Sequence, residues 1–203
     1  MKILAIGRNY VEHIKELNNT VPEEPVIFLM PETALIRRNQ PFFYPDFSKE
    51  IHYEVELVLK ISKLGKNIDE KFAHRYYDEI GVGIDFTARD LQNELKKKGL
   101  PWEKAKGFDG AAPLGKFLSK ESFSDVHQIS FSLEKNGVVV QQGNSNQMIH
   151  SFEAIIAHVS KFFTLKIGDL IFTGTPASVG PVVIGDDLIA KIEGQELLKV
   201  QVR

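Results

Sequence analysis

The chain has 203 residues, 43% of them hydrophobic, and a formal net charge of −2. That length can bury a substantial core as one domain spanning residues 1–203, and the charge leaves no excess of lysine and arginine to track a nucleic-acid backbone. No cysteine is present to form a disulfide, a thiolate metal site or a thiol nucleophile; there is also no apolar run of about 18 residues to span a membrane, so a cytoplasmic protein is expected.

In chain order, an apolar stretch of strand length runs over Lys2 to Ile6, too short for a signal peptide, followed by a helix over Tyr10 to Leu17 and a strand over Val26 to Met30. The next strand, Glu54 to Ile61, is entered through Ile51-His52-Tyr53. Alternation puts His52, Glu54 and Glu56 on one side and Tyr53, Val55 and Leu57 on the other. Ile80 to Phe86 forms a further strand, and a helix spans about Ala88 to Lys98. Thr87 is its expected N-cap, Asp90 its capping-box acid and Gly99 its stop, with Lys96, Lys97 and Lys98 in a last turn that favours cations. Strands over Ile129 to Glu134 and Val138 to Gln142 flank Asn136-Gly137, a dipeptide suited to a type I′ hairpin turn. A helix after Ser151 should turn Ile155, Ile156, Val159, Phe162 and Phe163 to the core. Gly-Asp turns then launch strands over Leu170 to Thr173 and Leu188 to Ile192, and a last strand covers Leu197 to Val202. Many strands with few helices indicate a β-rich α+β fold.

Glu54 and Glu56 enter a segment that otherwise reads as core. Two carboxylates there repel and raise each other's pKa unless a cation lies between them, although a solvated acidic face has the same pattern. Asp85, at the end of the next strand, makes a third carboxylate. Three suit a hard divalent ion, Mg²⁺ or Mn²⁺, with positions open for water and substrate; alone, Asp85 reads as a capping or solvated acid. His13 and Glu16 stand i,i+3 on the first helix, which allows them to interact or simply to form an exposed polar face. Lys106 lies in a lysine-rich stretch typical of a surface. Thr173-Gly174-Thr175-Pro176 is either a plain turn or a loop offering Thr175 to a carboxylate, and Arg8 is either a carboxylate clamp or a strut for the N-terminal segment.

Taken in order, Gly7-Arg8-Asn9-Tyr10, the E-x-E strand, Asp85-Phe86-Thr87-Ala88-Arg89-Asp90, Lys98-Gly99-Leu100-Pro101-Trp102, Ala105-Lys106-Gly107-Phe108-Asp109 and Thr173-Gly174-Thr175-Pro176 with Val179-Gly180 resemble the fumarylacetoacetate hydrolase family. The likeness is to its small single-domain branch of acylpyruvases and oxaloacetate decarboxylases. It implies a β-roll, an N-terminal lid helix, a homodimer and a small 2-oxo acid as substrate. It implies Glu54, Glu56 and Asp85 as metal ligands, Lys106 as the active-site lysine, Arg89 and Gln92 on the substrate side, and His13 with Glu16 as a dyad on the lid. The expected activity is cleavage of the C3–C4 bond of an acylpyruvate, such as acetylpyruvate or fumarylpyruvate, through a pyruvate enolate. The alternatives are oxaloacetate decarboxylation, isomerisation or dehydration of another 2-oxo acid, and a non-enzymatic protein with a structural metal.

Overall fold

The computed structural model describes residues 1–16, 20–37 and 39–203. Strands follow as β1 (Ile3–Gly7), β2 (Val26–Met30), β3 (Leu35–Ile36), β4 (Ile51–Tyr53), β5 (Val55–Ile61), β6 (Tyr77–Ile84), β7 (Thr87–Ala88), β8 (Ala112–Ser119), β9 (Ser130–Lys135), β10 (Val138–Asn144), β11 (Leu170–Phe172), β12 (Gly180–Pro181), β13 (Asp187–Ile192) and β14 (Gln195–Gln201). Among the described residues five short α-helices interrupt them: α1 (Val11–Glu16), α2 (Glu70–Ala73), α3 (Arg89–Lys98), α4 (Glu103–Lys106) and α5 (Phe152–Phe162). The predicted first helix is one residue shorter at its start, and Leu17 lies outside the described residues. None of the helices among the described residues is long and apolar enough to cross a membrane.

β5 is the spine of the molecule. Every side chain from Val55 to Leu59 is buried, so the strand carries no polar outer face and sits inside a sheet. That sheet has seven strands in the order β2-β1-β11-β5-β6-β8-β3, with β1 and β11 paired in parallel and β5 antiparallel to both its neighbours. A four-stranded sheet, β10-β9-β13-β14, shares one buried apolar cluster with β5, β6 and α5, where Leu133, Leu188 and Val200 meet Leu57, Val82 and Ile155. A small third sheet, β12-β4-β7, closes one end. This is the strand-rich, curled α+β β-roll expected from the resemblance.

Local chemistry accounts for most of the elements. Asn136 and Gly137 take φ of 53° and 80°, the two positive values a type I′ turn needs, and β9 pairs antiparallel with β10 across them. Ser151 caps α5 through Ala154 N–H, and α3 ends at Gly99 in the left-handed region. Four expectations are corrected. The strand predicted from Glu54 to Ile61 starts at Val55, because the chain passes between two sheets at Glu54. Thr87 is not the cap of α3: it pairs with His52 in β7, and its hydroxyl donates to the buried Glu54 carboxylate at 2.9 Å. Asp90 makes no capping box either, accepting instead from the Ser48 hydroxyl and Lys49 N–H. Finally, Phe162 is 60% exposed and lies against His158, because the buried face of α5 runs through Phe152, Ile155, Ile156 and Val159 to Phe163.

Candidate active site

The break between β4 and β5 brings Glu54 to the end of β6, where Asp85 N–H donates to the Glu54 carbonyl at 2.8 Å. Glu56, two residues on, pairs in register with Gly83. All three carboxylates are buried, and one oxygen from each lies within 4.8 Å of the others. Asp85 Oδ1 has no hydrogen-bond partner. An orphaned oxygen in an all-oxygen cluster of this size fits a hard divalent cation, and Glu54, Glu56 and Asp85 would hold it.

Cations and donors surround the acids. Lys106, carried in by α4, donates to Glu54 Oε2 at 2.8 Å and to Asp85 Oδ2 at 2.5 Å. Arg89 pairs with Glu54 Oε1, donates to Gln92 Oε1 at 2.6 Å, and is backed by His52 Nδ1 at 3.4 Å. Glu56 is held differently: Gly174 N–H donates to its Oε2 at 2.8 Å. These partners separate the acids electrostatically. Burial would raise Glu54, but Lys106 and Arg89 outweigh it and hold that carboxyl well below the usual range. Burial, with the Asp85 charge beside it, pushes Glu56 well up. Asp85 is pushed up to about 7 by burial against the opposing pull of Lys106.

The metal-free fold therefore holds protons on Asp85 and Glu56 that the unfolded chain releases above about pH 4. The stability these two carboxyls contribute falls as pH rises from about 4 through about 7, and a divalent ion displaces those protons. Added Mn²⁺ should thus raise Tm more at pH 8 than at pH 5.5, read by thermal melts against EDTA. An equal increment at both pH values would mean that protons and metal do not compete for these carboxylates.

Gly174 reaches Glu56 only because it adopts φ of +103°, and a Cβ there would lie 2.7 Å from Asn9 Cβ. Asn9 in turn ties the loop to the N-terminal segment, donating to the Thr173 and His150 carbonyls and accepting from His150 N–H. Gly174→Ala is expected to cost about 1–3 kcal/mol in denaturant unfolding and to weaken metal binding in calorimetry.

The acids form the floor of a pocket also lined by Arg8, His13, Arg89, Gln92, Lys96, Trp102, Lys106 and Thr175. The space left for the centre of a water-sized sphere is only about 30 Å³. His13 is buried on α1, and burial lowers its pKa despite the nearby Glu54 and Glu16. Its Nδ1 lies 3.4 Å from Glu16 Oε2. Glu16 does not line the pocket; its carboxylate accepts from Ser178 N–H, tying α1 to the loop after Gly174. The Thr175 hydroxyl accepts from Gln141 Nε2 at 3.0 Å, which leaves its own proton for a ligand. Arg8 has a left-handed backbone, φ 61°, and a buried Nε without a partner. Nine of the ten residues expected at the site thus meet in one pocket, and Glu16 stands behind His13. Lys96, Trp102, Asn9 and Thr87 were not expected there. For Lys96 the sequence did hold a signal, since it shares a helical face with Arg89 and Gln92.

The chain matches the family described as fumarylacetoacetate (FAA) hydrolase C-terminal over residues 2–203. It is 44% identical over 197 residues to oxaloacetate tautomerase YcgM of Escherichia coli (strain K12), covering 97% of this chain and 90% of that one. It is 41% identical over 194 residues to the mitochondrial oxaloacetate decarboxylase of Dictyostelium discoideum, covering 95% and 89%. Among solved structures, fumarylpyruvate hydrolase from Pseudomonas aeruginosa in complex with Mn²⁺ and pyruvate superposes with a TM-score of 0.93 at 34% identity, covering 100% of this chain and 89% of that one. With the whole chain matched and the buried acidic triad in place, the protein belongs to the fumarylacetoacetate hydrolase family.

Proposed function

We propose that the chain is an enzyme acting on oxaloacetate, interconverting its keto and enol forms with Mg²⁺ or Mn²⁺ bound, and that loss of CO₂ from the same substrate is the second reading. The observation that carries it is the narrow pocket in which a buried histidine and a buried lysine face one acidic cluster. Relatives above 40% identity over nearly the whole chain bear oxaloacetate names. The hydrolysis of acylpyruvates expected from the resemblance draws support from the His13–Glu16 pair and from the neighbour at 34% identity, and is the weaker reading.

A divalent ion held by Glu54, Glu56 and Asp85 would supply a Lewis acid beside the 2-oxo oxygen as negative charge develops there. The remaining work falls to side chains. In ketone-to-enol conversion a proton leaves C3, its electron pair forms the C2=C3 bond, and the carbonyl π pair moves to oxygen, which is then protonated. His13, neutral near pH 7 because burial lowers its pKa, accepts the C3 proton and returns it in the reverse direction. Glu16 orients the ring. Lys106 stays charged, since Asp85 and Glu54 overcome the effect of its burial, and adds a positive group near the developing oxyanion. Arg89, Gln92 and Thr175 hold the carboxylate of the 2-oxo acid head. In decarboxylation the C3–C4 pair moves the same way, CO₂ departs, and a proton is delivered to C3. We propose that the enzyme works as a cytoplasmic homodimer, which light scattering tests for the assembly.

The deciding experiment adds the protein to freshly dissolved enol-oxaloacetate with Mg²⁺, Mn²⁺ or EDTA. Enol absorbance and pyruvate release are followed separately, with acetylpyruvate as the competing substrate. Enol decay should accelerate by about 10² or more with metal and return to the solution rate with EDTA. Efficient acetylpyruvate cleavage with no effect on the enol would overturn the assignment.

A further inference from the structure

Lys96, Lys97 and Lys98 look alike in sequence, yet they diverge in the fold. Lys97 and Lys98 are exposed, with Lys98 paired to Glu94, whereas Lys96 is half-buried and lines the pocket. Its Nζ lies 5.5 Å from the centroid of the Trp102 ring, and the Arg8 guanidinium carbon lies 5.9 Å from the same centroid. Of the four lysines and arginines that line the pocket among the described residues, Lys106 and Arg89 are engaged by Glu54 and Asp85. Among the described residues, neither Arg8 nor Lys96 has a carboxylate partner. Burial, with Arg89 and Arg8 close by, pulls the Lys96 ammonium down to about 8, an unfavourable setting for a cation that an incoming anion would relieve. Four cations already face three carboxylates, and a divalent ion would add two more positive charges. A ligand with two carboxylates brings that pocket nearer to neutrality than a ligand with one.

We propose that Lys96 and Arg8, set against Trp102, form the subsite for the second carboxylate of a dicarboxylic 2-oxo acid, and that Lys96 is a specificity-determining residue. The inference rests on the oxaloacetate reading for the identity of the substrate, but its test requires no turnover. Trp102 is the only tryptophan of the chain, so its emission reports on this subsite directly. Stopped-flow fluorescence titration of the Mg²⁺-loaded protein compares oxaloacetate with pyruvate, which keeps the 2-oxo acid head and lacks the second carboxylate. Lys96→Met should weaken oxaloacetate binding by about 10- to 100-fold and leave pyruvate binding unchanged, while Lys96→Arg keeps most of the affinity. Unchanged pyruvate binding also certifies that the pocket is intact, and Lys96→Gln repeats the test if methionine disturbs folding. Equal weakening of both ligands, or of neither, would overturn the subsite. If the wild type selects oxaloacetate through Lys96 yet does not enolise it, the proposed reaction falls and the subsite stands. If it enolises oxaloacetate and Lys96→Met affects both ligands alike, the subsite falls alone.

Discussion

Glu56→Gln should abolish turnover while leaving the metal-free protein as stable as the wild type or slightly more so. Glu56 faces burial and the Asp85 charge, so in the absence of metal its carboxyl favours the protonated form, which glutamine mimics. Glu54→Gln should be equally inactive but less stable, by about 3 kcal/mol, because it removes the shared counter-ion of Lys106 and Arg89. Gln92 and His52 still touch Arg89, and Asp85 still touches Lys106, which limits the damage. Denaturant melts with EDTA, paired with Mn²⁺ calorimetry, separate the two variants: both lose metal affinity, and only one loses stability. A solvated acidic face would tolerate either substitution. If both variants melted alike and kept activity, the metal assignment would be wrong.

His13→Gln is expected to lower oxaloacetate enolisation by about 10²–10⁴ with metal affinity intact, since it removes the proton carrier while His13 makes no hydrogen bond to Glu54, Glu56 or Asp85. Decarboxylation should suffer less, because departure of CO₂ requires no proton to be abstracted. Glu16→Gln should have the smaller effect of losing an orienting contact, the 3.4 Å approach to His13 Nδ1, together with the anchor on Ser178. Because burial lowers the His13 pKa, enolisation should persist down to about pH 6.5 and fail only below it. Equal losses in both reactions would argue that His13 supports the fold of the lid rather than moving a proton.

The parts of this structure that were legible in sequence are those governed by near neighbours. Asn136-Gly137, Ser151 and Gly99 each carry their turn or cap within a few residues, and the alternation around Glu54 and Glu56 is visible on paper. β8 was missed because Pro113, Gly115 and Lys116 break its apolar pattern; partners far away in sequence hold it, and at Gly115 a Cβ would lie 2.8 Å from the Leu197 carbonyl. Thr87 was misread for the same reason. Its hydroxyl answers a buried carboxylate 33 residues away rather than the helix beside it. Asn9 bridges residues 150 and 173, a role that no local pattern encodes. The grouping of His13 and Lys106 with the acids came from the family resemblance, since a lysine in a basic stretch and an i,i+3 pair have ordinary surface explanations.

The parallel pairing of β1 with β11 joins residues 3–5 to residues 170–172. During synthesis β1 can find β2 early, as an antiparallel neighbour, but its other edge must wait until most of the chain has emerged. β5 waits for that same strand on one side, and Gly174, the donor to Glu56, lies two residues beyond it. The pocket is therefore assembled late and all at once. A divalent ion should accelerate no early step of folding, and its binding should slow global unfolding instead, protecting amides across the seven-stranded sheet together rather than around the acids alone.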